Sequence, residues 1–292
     1  MNQKIAASEL VLNPDGSLYH INLKPGHLAD DIIFVGDQDR VPKISKYFDK
    51  IEFETRKREF RTATGWYKSK RITVISTGIG PDNIDIVMNE LDALANIDLL
   101  TRTIKSDKKS LNIVRIGTSG SLQADIPVDG FVMAEYGLGF DGLLHAYQSE
   151  GVREMEMEEA FIAHTSYDSC KARPYIVKGS QFLKEKLISD GVFTGITATA
   201  NGFFGPQGRV LRLPLKDKNL NDMLESFRFK ENRITNLEME TSAIYGLSRL
   251  MGHQALSLNA IIANRPAKTF SKDPYAAIER LIIYTLDLLA EF

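Results

Sequence analysis

Short apolar runs, several of them ending at glycine, alternate with stretches of helical spacing from one end of this chain to the other. Ile32-Ile33-Phe34-Val35 halts at Gly36-Asp37 and reads as a buried strand. Strand-like runs follow near 51–56, 59–64, 71–77, 112–116, 131–136, 174–177, 192–200 and 255–263. Helical stretches fall between them, near 41–48, 84–95, 180–189, 219–227, 239–251 and 274–291. Ile84, Val87, Met88, Leu91, Leu94 and Ala95 share one face of the second, and Asp82 and Asp85 suit the positive end of its dipole. Ile278, Leu281, Ile282, Leu286 and Leu289 stripe the last. Such interleaving, without a repeat, a Pro/Ser-rich linker or a break in composition, predicts one α/β domain spanning 1–292. Residues 1 to about 31 read as irregular, with 1–17 an N-terminal segment turned at Asn13-Pro14-Asp15-Gly16. The polar Thr101–Ser110 stretch reads as an exposed loop or helix end, and the Glu-rich 150–159 stretch as a loop.

Charge and cysteine content narrow the function. The formal net charge is −2, so no global basic field draws nucleic acid or anionic membrane, and anion binding must come from local clusters. Cys170 is the only cysteine, which excludes an intramolecular disulfide and a Cys-based zinc site. The opening MNQKIAASEL lacks the basic-then-apolar pattern of a signal peptide, and no apolar run is long enough for a bilayer span. A cytoplasmic enzyme or binding protein is expected.

Three arginines stand where such a cluster can form. Arg40 closes Gly36-Asp37-Gln38-Asp39-Arg40 just beyond a strand, Arg58 opens Arg58-Glu59-Phe60, and Arg115 precedes Ile116-Gly117-Thr118-Ser119-Gly120. Ligands of α/β sheets gather at strand ends. Glycines let backbone N–H groups approach an oxyanion, and a guanidinium fork grips phosphate. Each arginine alone reads equally as a salt bridge; the three together point to phosphate. Gly137-Leu138-Gly139-Phe140-Asp141-Gly142 has dinucleotide-binding spacing after a predicted strand, but no clean helix follows, and it reads as a flexible turn beside a pocket.

Gly36-Asp37-x-x-Arg40-Val41, Arg58-Glu59-Phe60, Ser76-Thr77-Gly78-Ile79-Gly80 and Arg115-Ile116-Gly117-Thr118-Ser119-Gly120 occur in that order. Phe203-Phe204-Gly205-Pro206-Gln207-Gly208-Arg209, Glu238-Met239-Glu240 and Ile262-Ala263-Asn264-Arg265 follow. In this series the chain, from about residue 18 onward, resembles the nucleoside phosphorylase family that includes uridine phosphorylases and hexameric purine nucleoside phosphorylases. The resemblance implies a central mixed, twisted, partly barrel-like sheet flanked by helices. It implies phosphorolysis of uridine to uracil and ribose 1-phosphate, with inorganic phosphate as co-substrate and no cofactor.

By the same resemblance, Gly36, Arg40, Arg115 and Thr118 hold phosphate, with Arg58 reaching a neighbouring subunit's site. Glu240, Met239, Thr118 and, across a dimer interface, His20 meet the ribose. Phe203, Gln207, Arg209 and Arg265 meet the base. Gln207 and Arg209 stand two apart, so an extended segment turns both to one face, and a glutamine amide can pair with a uracil N3–H and carbonyl. Asn264 stands where the purine branch has an aspartate acid, which disfavours purines. The implied assembly is at least a homodimer, as in the rings of three dimers that many relatives form. Departures from the uridine pattern are the order Gly205-Pro206, Gly208 in place of an acidic residue, and Asn83 in place of a serine that joins the Glu59 position in a monovalent cation site. Metal ligands are therefore not expected. The rival readings are a purine phosphorylase, a nucleosidase using water, a non-catalytic nucleoside-binding protein and, through the glycine pattern, a dehydrogenase.

Overall fold

The computed structural model describes residues 4–292; residues 1–3 of the N-terminal segment lie outside the described residues. In chain order the elements begin β1 (Asp31–Val35), α1 (Arg40–Ser45), β2 (Lys50–Lys57), β3 (Phe60–Tyr67), β4 (Lys70–Ser76) and α2 (Pro81–Asn96). A two-stranded pair β5 (Ile97–Asp98) and β6 (Thr103–Ile104) leads to β7 (Asn112–Ser121), β8 (Phe131–Gly139), α3 (Met155–Thr165), β9 (Tyr175–Lys178) and α4 (Gln181–Leu187). The chain ends with β10 (Val192–Thr199), α5 (Leu220–Ser226), β11 (Arg228–Phe229), β12 (Asn232–Glu238), α6 (Thr241–Met251), β13 (Gln254–Asn264), β14 (Thr269–Phe270) and α7 (Pro274–Leu289).

The main sheet runs β11-β12-β10-β8-β13-β7-β1-β4-β3-β2, and β12 also pairs with β7. That extra pairing closes β12, β10, β8, β13 and β7 into a ring, and β2, β3 and β4 extend from it as an antiparallel wing. Within the ring β7–β13, β8–β10 and β10–β12 are parallel, while β8–β13 and β7–β12 are antiparallel. The fold is thus α/β, with a mixed, partly barrel-like sheet flanked by helices, as expected. β1 shows why its run is uniformly apolar. Ile32 and Phe34 face a core built with α2 and α6, whereas Ile33 and Val35 face one built with α1, α4 and α7. A strand covered on both faces has no polar side to show. No helix among the described residues is long and apolar enough to cross a membrane.

Four local expectations change. Residues 155–165 form a helix, not a loop: Met157 and Phe161 supply a buried face, and the fully buried Glu158 is held by Arg153. β12 has no apolar run to announce it. Its Thr235 and Asn236 are buried through hydrogen bonds, Asn236 Oδ1 accepting from Thr197 Oγ1 at 2.8 Å and its Nδ2 donating to Ser119 Oγ at 2.9 Å. The 101–110 stretch is more than a solvated loop. Arg102, at φ +61°, donates to Ile5 O at 3.0 Å and Ala6 O at 2.9 Å and so straps down the N-terminal segment. Gly137 and Gly139 lie in β8, not in a turn. A Cβ on Gly137 would stand 2.8 Å from Ser242 Cα, and one on Gly139 2.4 Å from the Tyr175 ring, so these glycines admit α6 and β9 against the strand.

Candidate active site

A cavity of about 890 Å³ opens at the carboxyl ends of β1, β7 and β12. Gly36 and Arg40 reach it from the loop and helix start after β1, Arg115 and Thr118 from β7, and Met239 and Glu240 from the entry to α6. Phe203, Gln207 and Arg209 enter from the long segment between β10 and α5. Residues up to two hundred positions apart in the chain are therefore neighbours around one space.

The floor is a charged lock. Arg115, 6% exposed, donates through Nη1 to Asn259 Oδ1 at 3.0 Å and through Nη2 to Glu240 Oε2, with Glu238 Oε2 at 3.2 Å. Gly117 makes room for it, because a Cβ there would sit 1.9 Å from Arg115 Nη1. Burial pulls the Arg115 guanidinium down, but Glu238 and Glu240 outweigh it and hold the group above its ordinary value. Burial pushes the Glu240 carboxyl up, Arg115 opposes it, and Glu238 adds to the rise. Glu240 Oε1 also accepts from the Gly80 N–H at 2.9 Å, tying the start of α2 to the start of α6. Arg40 donates to Ile116 O at 3.2 Å, and burial, then Arg115, lowers its guanidinium. Two guanidiniums thus stand against the glycine-containing stretch of β7, an arrangement that suits an oxyanion.

Glu238 had no role in the sequence reading. Its carboxylate accepts from Thr199 Oγ1 at 2.7 Å, from Glu240 N at 3.0 Å and from Thr241 N at 3.1 Å. It is the carboxylate that caps the start of α6. Asn259 was missed too; a polar residue inside the apolar run of β13 was its signal.

The opposite wall is a stacked loop. Residues 205–207 form a 3-10 turn and Gly208 is left-handed at φ +69°, so Gln207 and Arg209 do not share a face by lying in an extended segment. They meet because the chain turns. Arg209 donates to Gln207 Oε1 at 2.5 Å and to Phe203 O at 2.7 Å, and its guanidinium lies 3.8 Å from the Phe203 ring centroid. Gln207 is 2% exposed. Arg265 does not line the cavity; it supports Gln207 from behind, donating to Gln207 O at 2.5 Å, to Gln207 Oε1 at 3.2 Å and to Asn221 Oδ1 at 3.2 Å. Burial, and then Arg209, lowers Arg265 to about 10. Asn264 is not on the cavity wall either. It donates to Gln123 O at 2.9 Å and Ile126 O at 2.7 Å and accepts from Ala267 N at 2.8 Å, which makes it a loop clamp, not a base reader.

His20 and Arg58 stand apart from this cavity. His20 Nδ1 lies 2.6 Å from Glu90 Oε1, and Arg58, at φ +56° in the β2–β3 hairpin, places its guanidinium 5.7 Å from the Tyr19 ring centroid. Glu59 does line the cavity, beside Asn83. Among the described residues there is no group of three or more His, Cys, Asp or Glu that could hold a metal ion.

A family model described as the phosphorylase superfamily matches residues 30–289. A uridine phosphorylase from Thermococcus kodakarensis is 29% identical over 281 residues, covering 93% of this chain and 86% of that protein. A DeoD-type purine nucleoside phosphorylase from Listeria welshimeri is 25% identical over 240 residues, 82% of this chain and 84% of that one. Among solved structures, a Trypanosoma brucei nucleoside phosphorylase, described as showing uridine phosphorylase activity, superposes with a TM-score of 0.88 at 31% identity. That match covers 97% of this chain and 100% of the other.

Proposed function

The chain belongs to the phosphorylase superfamily, the family of the nucleoside phosphorylases, and on that premise we propose that it cleaves uridine with phosphate to uracil and ribose 1-phosphate. One observation carries the choice of base: the buried Gln207 amide, held by Arg209 and Arg265, at the wall opposite Arg115 and Glu240. When uracil enters, Gln207 Oε1 exchanges its bond from Arg209 for the N3–H, Gln207 Nε2 donates to one carbonyl, and the released Arg209 donates to the second. Both groups stabilise the negative charge that gathers on the departing base. The Trypanosoma brucei relative supports the same assignment.

In this reading Arg40 and Arg115 take the phosphate with Gly36 and Thr118, and Glu240 takes the ribose hydroxyls with Met239 under the sugar. Phe203 stacks on the base. Arg265 acts through Gln207 and is a positioning residue. As the glycosidic bond breaks, positive charge grows on the ribose, and the phosphate beneath it supplies the opposing charge and then the new C–O bond. Orientation and fixed charge do this work without a covalent enzyme intermediate. His20 and Arg58 complete the site of a second copy, in at least a homodimer.

The test follows uracil release from uridine with and without phosphate, with inosine alongside. Phosphate-dependent release with inert inosine is expected. Release without phosphate makes the protein a nucleosidase, and preferential inosine cleavage makes it a purine phosphorylase.

A further inference from the structure

A second cavity, of about 800 Å³, lies on the far side of the base-reading loop. Phe140, Tyr167, Phe204 and Leu220 form its apolar wall. Leu211 and Leu213, which line it, are 79% and 68% exposed, and the adjoining Val210 is 57% exposed. An apolar run of this kind left in water marks a surface that receives something. Four cations, Lys171, Arg209, Arg212 and Lys216, line the same space against one carboxylate, Asp217. Lys171 and Lys216 are partly spent on Asp217 and Asp168. Arg212 has no hydrogen bond or ion pair among the described residues. Apolar walls with an unspent guanidinium at the rim fit one chemistry: a flat apolar body carrying a negative charge.

Arg209 lines both cavities. The loop between them is one residue deep there, with Phe203 on the uridine side and Phe204 on the other, their rings edge to face at 5.2 Å. We propose that the second cavity is an effector site for a small aromatic anion, whose charge draws Arg209 away from Gln207 and weakens nucleoside binding. The coupling rests on the uridine reading of the first cavity; the binding does not.

The probe is 8-anilinonaphthalene-1-sulfonate, titrated by fluorescence into the full-length protein. One saturable site per chain is expected. Arg212→Glu is expected to weaken it at least tenfold, and Leu213→Asp several-fold, while Lys108→Glu, the same charge change at an exposed residue elsewhere, leaves it unchanged. Unsaturable binding, equal binding by Arg212→Glu, or equal weakening by Lys108→Glu overturns the site. In the kinetic arm, saturating probe is expected to raise the nucleoside KM several-fold with the phosphate KM unchanged, and to do so only weakly in Arg212→Glu. A KM that does not move overturns the coupling. Because the binding arm needs no turnover, its failure is distinguishable from failure of the uridine assignment.

Discussion

Arg115 and Glu240 grip each other across the cavity floor, a residue inside strand β7 paired with a helix start 125 residues later. Glu238 touches the same guanidinium, so removing Glu240 leaves Arg115 with a counter-charge. Glu240→Ala is therefore expected to fold, with little change in melting temperature, while kcat/KM for the nucleoside falls about 100-fold, the value of hydrogen bonds to a charged group. Steady-state kinetics beside thermal melting check this; a large loss of stability with unchanged kinetics in the folded fraction refutes the ribose role.

In the proposed reading Gln207 and Arg209 hold the bound base and also stabilise the charge on it as it leaves, so their loss falls on nucleoside KM and on turnover. Gln207→Ala and Arg209→Ala are each expected to lower kcat about 100-fold, in the range for removing one donor to developing negative charge. Arg265→Ala is expected to cost less, because it acts through Gln207. Wild-type turnover in either of the first two variants removes that residue from the site.

Arg58 and His20 lie outside the cavity of their own chain, which makes a mixing experiment informative. Arg58→Ala and Arg209→Ala are each expected to be nearly inactive alone. Co-refolded in equal amounts, they pair at random and rebuild one intact site in each mixed dimer, about a quarter of wild-type activity by two-fold symmetry. Activity that stays at the level of the separate variants shows that Arg58 serves no neighbour.

Asp141 is a half-buried carboxylate held by neutral partners: Tyr175 Oη donates to it at 2.8 Å and the Leu143 N–H at 2.8 Å. Burial raises its pKa above the ordinary value, and those hydrogen bonds only partly oppose it. A carboxyl raised in the folded state contributes stability that is complete below its unfolded pKa and is lost as pH rises through its folded one. Asp141→Asn is therefore expected to be more stable than the parent at pH 8 and to lose that advantage near pH 3. Denaturant titrations at the two pH values check the sign.

The glycine pattern at 137–142 has a packing role, so Gly139→Ala drives a methyl into the Tyr175 ring. A loss of about 1–3 kcal/mol of stability is expected, the cost of overpacking, with no binding of nicotinamide dinucleotides in the parent protein. Tight dinucleotide binding would reopen the dehydrogenase reading.

The strands whose side chains are uniformly apolar were legible because burial on both faces leaves a continuous run, as in Ile32–Val35. Of the three arginines grouped in the sequence, Arg40 and Arg115 line one cavity, whereas the β2–β3 hairpin carries Arg58 away from it. β12 was not legible, since its burial is satisfied by hydrogen bonds among Thr197, Asn236 and Ser119 from three strands far apart in sequence. α3 hid its buried face among glutamates, one of which is itself buried on Arg153. Gln207 and Arg209 were correctly brought together for the wrong reason, alternation in place of a turn. Arg265 was expected at the base but stands behind Gln207, because a motif names positions, not the directions of side chains.

The ring closes only when β12 meets β7 and β13 lies between β7 and β8. Its floor joins Arg115 to Asn259, and its loop wall rests on Arg265. A ribosome-bound chain lacking the last quarter of the sequence therefore carries Arg40 and Arg115 without the residues that pack behind them. Enzymatic activity should return on refolding as one late event, after secondary structure has formed, because the contacts that create it, Arg115 with Glu240 and with Asn259, join residues 125 and 144 positions apart.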